Sequence, residues 1–475
     1  MGRPLKQHPD RLFPIDINCR TVARRLYHEV KGLPIISPHG HTDPACFAIN
    51  NNFTDPQSLL IAPDHYLLRL LYSQGIQLAD LGIPTKKGTA ESATVADPRN
   101  AWRLFAKNTH LFHGTPTGLW LNHVFSEIFK LPEQLDESTA DDYFDNISDQ
   151  MQQDEFRPRQ IVDRFNIEFL STTESPIDTL KYHQLISDSD WDGQIAPSYR
   201  PDAVIDAEHP MFRTSLKRFG ELTGEDVYSW QSYLEAHRKR RADFIAQGAT
   251  ATDHGHPTAR TANLTNAECV ALFQRINADQ VSAQDAELFR AQMLTEMARM
   301  SLDDGLVMQI HPGSFRNHND WLYDNYGSDK GADIPIQVEY TAALKPLLDC
   351  FGNNPQLTVI LFTQDETNYT RELAPLAGHY PCLKLGPAWW FHDSPEGIKR
   401  FREQTTETAG FYNTVGFNDD TRALLSIPAR HDMSRRIDCS YLAKLVCEHR
   451  ISEEDAHVIA ADLTYNLPKQ TYRIK

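Results

Sequence analysis

The chain predicts an α/β fold: a (β/α)8 barrel of the TIM type, with a helical region inserted after its first strand. Three observations predict it. Eight short β-rich runs alternate with helical stretches along 475 residues, a length that suits one large barrel. The first run ends on His39-Gly40-His41, where an open doubly wound sheet favours a glycine-rich phosphate loop. His, Asp and Arg also gather just past the C-terminal ends of the runs, the rim on which such barrels build their sites. No fixed-period repeat, low-complexity segment or linker breaks the rhythm. One barrel domain over residues 1–475 is expected, with residues 50–160 as the insertion.

The elements follow in order. Pro34–Ser37 is a short apolar run bounded by Gly and Ser, the mark of a buried strand. The helical region after it includes Ser58–Leu71, with apolar residues near helical spacing, and the aromatic-rich Asn100–Lys130 and Asp141–Asp154. The second strand candidate is Asn166–Thr172, followed by a helix opening at Pro176. Gln194–Tyr199 is the third, and the long helix Val227–Gln247 comes after it. The weak fourth run, Gly248–Gly255, precedes the helix Ser282–Asp303, and Gly305–His311 is the fifth. Helix Val338–Cys350 leads to the sixth, Leu357–Thr363, and then to the seventh, Cys382–Gly386. Helix Pro395–Thr408 leads to the eighth, Thr414–Phe417, and two helices, Ser434–His449 and Glu453–Leu463, close the chain.

Composition excludes several classes. A net charge of −17 argues against a nucleic-acid or membrane-surface partner, though a local arginine cluster can still receive a small anion. The seven cysteines are scattered, with no CxxC pair, which fits a reducing cytoplasm and gives no thiolate metal site. The opening MGRPLKQHPDRLF has no apolar core for a signal peptide, and no apolar run approaches a membrane span.

Residues two apart on an extended chain point to one side. His39 and His41 therefore aim both imidazoles into one small volume at the end of the first strand. Neutral imidazole is the commonest protein ligand for zinc and similar ions. Other strand ends deliver Thr173 and Glu174, Arg200, Asp253 and His254, His311 with Arg316 beyond it, Trp389 and Trp390, and finally Asp420 and Arg422. Two histidines and an acid from the eighth run make a site for one divalent ion, with Asp419 and Asp420 competing for the ligand role. The fourth run carries no bridging Lys, so one metal is expected. His311 stands as a fourth ligand or a substrate contact. His254 and His256 share the spacing of the first pair, but their Gly/Pro-rich loop suits a surface or capping role equally well. Three arginines at strand ends point to an anionic ligand, because guanidinium meets carboxylate as a fork. The Trp389-Trp390-Phe391 run serves packing, or walls off water and stacks on a sugar face.

Several motifs together resemble a known family. PHGH at Pro38–His41, DHYLLRLLY at Asp64–Tyr72, TTESPIDTL at Thr172–Leu180 and YRPD at Tyr199–Asp202 are joined by QIHPGSFRNHN at Gln309–Asn319, GPAWWF at Gly386–Phe391 and DDTR at Asp419–Arg422. In that order, over nearly the whole chain, they resemble the uronate isomerases of the amidohydrolase superfamily. The resemblance implies a distorted barrel and interconversion of an aldose uronate with its ketose in pentose and glucuronate catabolism. It implies metal ligation by His39, His41 and Asp420, with one divalent ion, zinc foremost. It implies that the His-Tyr pair after the first strand is His65 and Tyr66, and that Arg200, His311, Arg316 and Arg422 contact the substrate. The chain departs from some members in having Gly40 between the histidines, and in doubling the acid before Thr421.

The expected reaction converts D-glucuronate to D-fructuronate, and D-galacturonate to D-tagaturonate, through an enediol. It needs a base, an acid, and a positive group near the developing oxyanion. Tyr66 and Asp420 are the expected proton carriers, with Asp253 as an alternative base, and Trp389 and His65 border the substrate. The rival enzyme is a mononuclear metal hydrolase acting on a sugar-acid amide or lactone; a catalytically silent sugar-acid binder is the non-enzymatic alternative. A homo-oligomer is also expected.

Overall fold

The computed structural model describes residues 3–86, 96–278 and 281–475. Its centre is a sheet of seven parallel strands in sequence order: β1 (Ile35–Ser37), β2 (Ile167–Glu174), β3 (Gln194–Tyr199), β4 (Ala251–His254), β5 (Val307–Ile310), β6 (Val359–Leu361) and β7 (Leu383–Leu385). Neighbours pair in register, as in Asp253 with Gln309 and Ile360 with Lys384. Strands covered on both faces read as continuous apolar runs, which is why Leu357–Thr363 and Gly305–His311 stood out.

Alternation sorts the strand side chains into two layers. Ile36, Phe169, Ala196, Ala251, Val307 and Ile360 point inward to a core finished by Val415, Tyr472 and Ile474 from the chain's end. The Tyr472 hydroxyl donates to Gln309 Oε1 at 2.8 Å and accepts from Asn418 Nδ2 at 2.9 Å, so the C-terminal segment plugs the barrel with its polar group satisfied. Met308, Ile310, Val359, Leu361, Leu383 and Leu385 face outward, into the apolar layer shared with the surrounding helices.

The eighth strand is not formed. Thr414 makes a single parallel bridge to Leu385, and Gly416 then turns at φ 79°. A left-handed residue breaks the pleat, so the Thr414–Phe417 expectation fails on one glycine. The segment instead runs on to Thr421, whose carbonyl accepts from the His41 N–H at 3.0 Å and closes the ring against β1. The architecture is thus a distorted (β/α)8 barrel with one irregular stave.

Between β1 and β2 the chain makes a series of helices with their own aromatic core, built on Trp102, Phe105, Phe125, Phe129, Tyr143 and Phe156. Asn100–Lys130 is broken there into Pro98–Lys107 and Pro116–His123 with irregular turns between, each opening on a proline. Ser58–Leu71 is likewise broken, since Asp64 starts a new helix at His65–Ser73 by accepting from Tyr66 N and Leu67 N. Val338–Cys350 is helical only from Lys345, and the penultimate long helix begins earlier than expected, at Ile427 with Pro428 in its first turn. Among the described residues no helix is long and apolar enough to cross a membrane.

Candidate active site

The C-terminal ends of the strands open onto a cavity of about 500 Å³. His39 and His41 reach it from β1, His311 from just past β5, and Asp420 from the irregular eighth segment. His65 and Tyr66 enter from the first turn of the helix capped by Asp64. Thr173, Arg200, Arg316, Trp389, Trp390 and Arg422 complete the sequence-predicted residues on its wall. Glu174, Asp253 and His254 lie outside it.

The tightest group is His39, His41 and Asp420. Asp420 Oδ1 lies 3.1 Å from His41 Nε2 and 3.5 Å from His39 Nε2, yet it makes no hydrogen bond. Two imidazole nitrogens and a carboxylate oxygen converging without hydrogen bonds form a donor set that could hold a divalent cation. The spacing also fits, because ligands on a tetrahedral zinc with bonds of 2.0–2.1 Å stand about 3.3 Å apart. Burial works against the Asp420 charge, but His39 and His41 outweigh it and hold the carboxyl well below its usual range. Its second oxygen accepts from Trp389 Nε1 at 2.5 Å. The backbone of Asp420 is left-handed at φ 39°, a conformation that is costly for a residue with a Cβ.

That turn decides between the two adjacent acids. Asp419 points the other way and accepts from His431 Nε2 at 3.0 Å, while Asp420 faces the cavity.

Below the cavity floor, Asp253 is fully buried between two partners. It accepts from His311 Nδ1 at 2.7 Å and lies 3.0 Å from Arg200 Nη1. Burial opposes its charge, and Arg200 and His311 overcome that and hold it well below the ordinary carboxylate range. With Nδ1–H committed to Asp253, His311 presents an unprotonated Nε2, which has no partner. Burial lowers the His311 pKa to about 4, against the pull of Asp253. The ring is further fixed by stacking on Phe362 at 3.9 Å and on His39 at 4.6 Å.

Tyr66 packs its ring against His65 at 4.4 Å, and its hydroxyl donates weakly to the Trp390 carbonyl at 3.4 Å. Burial pushes the phenol well up, so it carries its proton at neutral pH. His65 is driven down to about 3 by burial, and its Nε2 has no partner.

The arginines are not equivalent. Arg200 is tied to Asp202 at 2.8 Å as well as to Asp253. Arg316 pairs with Asp333 at 2.8 Å and Arg422 with Asp329 at 3.0 Å, both acids lying on one loop over the cavity. Each of these two side chains is more than a third exposed.

His254 and His256 correct the surface expectation, since both are buried. Their loop folds inward beneath Asp202 rather than out to solvent. Glu174 also lies below the surface, 3.8 Å from His183, with burial raising its pKa to about 8.

Among the cavity residues that escaped the sequence reading are two arginines. Arg430, on the Ile427–Cys447 helix, lies 3.6 Å from the centre of the Trp120 ring and donates to Asp393 Oδ2 at 2.6 Å. Arg69 stands four residues after His65 on the same helix, a spacing that puts both on one face.

Comparison with known proteins agrees over the whole chain. The family model described as glucuronate isomerase matches residues 16–472. A uronate isomerase of Phenylobacterium zucineum is 65% identical over 474 residues, covering 100% of this chain and 98% of that protein. A crystal structure of glucuronate isomerase from Caulobacter crescentus superposes with a TM-score of 0.97 at 61% identity, covering 100% of this chain and 98% of the other. A uronate isomerase structure from Thermotoga maritima gives 0.90 at 25% identity, covering 98% and 99%.

Proposed function

Because the chain belongs to the glucuronate isomerase family, we propose that it interconverts D-glucuronate with D-fructuronate, and D-galacturonate with D-tagaturonate, by proton transfer between C1 and C2. The observation that carries this reading is the placement of the His39–His41–Asp420 donor set and the protonated Tyr66 in one arginine-rimmed cavity.

His39, His41 and Asp420 hold one divalent ion in this reading, zinc being suited to two imidazoles and a carboxylate. When bound, the ion supplies a positive charge that polarises the carbonyl and steadies the enediolate oxygen. Asp420, kept ionised, takes the proton from one carbon and returns it to the other. Tyr66 holds its phenolic proton toward the sugar oxygen that gains charge. His311 offers its Nε2 to a substrate hydroxyl, locked in that tautomer by Asp253. Asp253, with His311 on one oxygen and Arg200 on the other, orients the site rather than carrying a proton to the sugar. Arg316 and Arg422 border the bound sugar, Trp389 holds Asp420 in place, and His65 lines the wall. Unpaired cysteines support a cytoplasmic setting. The homo-oligomer belongs to the same proposal and is checked by sedimentation.

The test is incubation of metal-loaded protein with D-glucuronate in deuterated buffer, followed by NMR. The expected result is D-fructuronate, with deuterium entering recovered sugar. No change with either uronate overturns the reading, and release of acid or ammonia from an amide or lactone favours the hydrolase.

A further inference from the structure

The irregular eighth segment holds Asp420 with little help from the sheet. Between the Thr414 bridge and the Thr421 carbonyl it is tied mainly by side chains. Trp389 Nε1 donates to Asp420, His431 Nε2 donates to Asp419, and Asn418 Nδ2 donates to the Tyr472 hydroxyl at 2.9 Å. The last of these ties comes from the far end of the barrel, where the mechanism has so far assigned nothing.

Tyr472 is fully buried, and its surroundings fix it. The next residue, Arg473, donates to the carbonyls of Gly305 and Gln356, each at 2.6 Å, which lead into β5 and β6 at the end opposite the cavity. The Ile474 N–H donates to the Lys469 carbonyl at 3.0 Å and folds the segment back on the helix Leu467–Thr471. Gly416 presses on the same helix: a Cβ there would come within 2.7 Å of Pro468 Cδ and 2.6 Å of the Leu463 carbonyl. The Tyr472 ring shares the inner core with Val415, Phe362 and Trp389. Its hydroxyl donates to Gln309 Oε1 at 2.8 Å, and Gln309 pairs in register with Asp253, the support of His311. Burial keeps the proton on the phenol, against the Asn418 contact and with help from the Asp253 and Asp420 carboxylates, so the hydroxyl donates and accepts at once.

We propose that Tyr472 is a positioning residue for the metal-binding turn: from the floor of the barrel its hydroxyl sets Asn418, and through Asn418 the left-handed Asp420. This rests on the metal reading above. A strained backbone persists only where its surroundings over-determine it, and Asp420 is such a residue at φ 39°. Without the hydroxyl, the buried Asn418 amide and Gln309 carbonyl both lose a partner. Asn418 then turns to find another, and Asp420, two residues on, leaves its place between His39 and His41. The segment after the helix Leu467–Thr471 thus tunes how tightly a cation is held at the opposite end of the barrel.

The test measures zinc affinity by competition with a chelator, and the thermal midpoint of the metal-free protein. Tyr472→Phe and Asn418→Ala should each weaken zinc binding about 10- to 100-fold, the usual cost of losing a group that orients a ligand. The double variant should lie within about twofold of the weaker single one, because both changes cut the same bond. Ile474→Ala loosens the same segment without touching Asn418. It should lower the metal-free midpoint and leave zinc affinity within about twofold of wild type. Unchanged zinc affinity in Tyr472→Phe overturns the proposal, as do additive losses in the double variant. So does Ile474→Ala weakening zinc as much as Tyr472→Phe, since a loose segment alone then explains the effect. If Tyr472→Phe does not fold, Asn418→Ala against Ile474→Ala carries the test on the same criteria. A wild type that takes up no stoichiometric zinc removes the metal reading itself, and this proposal with it.

Discussion

Strands β1 and β4 each deliver two histidines separated by one glycine, and only the first pair lines the cavity. His39 and His41 stand with ring centres 5.2 Å apart at 81°, and His254 and His256 stand 5.9 Å apart at 87°. The difference is the third donor. The first pair meets Asp420 Oδ1, which has no hydrogen bond to give up. The second lies under Asp202, which is already bound to Arg200 and to the Gly255 N–H, with His256 Nε2 at 3.8 Å. His254 spends its Nε2 on Thr252 Oγ1 at 3.0 Å. Two histidines at this spacing can hold a metal ion where a carboxylate comes to them uncommitted, and pack into the core where it does not.

The strongest way to break this contrast is to remove the free carboxylate. Asp420→Asn should abolish stoichiometric metal and lower turnover by about 10³-fold, while His256→Asn should keep full metal content. Metal analysis of the two purified proteins decides it. Tyr66→Phe probes the proposed acid, which shares the cavity with the first pair only. It should cut kcat about 10²- to 10³-fold with an unchanged thermal midpoint, read by steady-state kinetics and a melting curve. Trp389→Phe removes the donor that fixes Asp420 and should weaken metal affinity about 10- to 100-fold, measured by competition with a chelator.

The smallest effect belongs to the second pair. Burial lowers the pKa of His254 from 6.5 to about 3, so the unfolded chain binds this proton and the folded chain does not. The stability linked to it is complete above pH 6.5 and is lost as the pH falls toward 3. His254→Gln should flatten the pH dependence of unfolding in that window by up to about 1.4 kcal/mol per pH unit, measured by denaturant titration at several pH values. Glu174, raised to about 8, has the opposite sign: its contribution is present below pH 4.5 and is lost as the pH rises.

Much of this was legible in residue order. Most of the seven strands could be read because buried parallel strands are short apolar runs, the weak β4 being the exception, and β1 stood out because HGH follows it at once. The eighth segment has the same apolar look, but Gly416 sits left-handed, and one glycine does not declare its φ in a sequence. The choice of Asp420 over Asp419 depended on a backbone turn and on His431, eleven residues past Asp420 on the helix Ile427–Cys447. Pairing hid the arginines' differences, since Asp329 and Asp333 reach Arg422 and Arg316 only through the fold. Arg69 was within reach, because its four-residue offset from His65 is a helical spacing, but it looked like one more charge on an amphipathic helix.

The unformed eighth strand has a mechanical consequence. Along most of the hoop the barrel is held by ladders of backbone hydrogen bonds, while between β7 and β1 it hangs on one bridge at Thr414 and one bond from the His41 N–H. The same stretch carries Asp420, and its neighbour across the gap carries His39 and His41. A cation held by the three would therefore rivet this open joint in the hoop. Stripping it should let the His41 amide exchange its hydrogen faster than amides in β5, which the ladder protects on both sides.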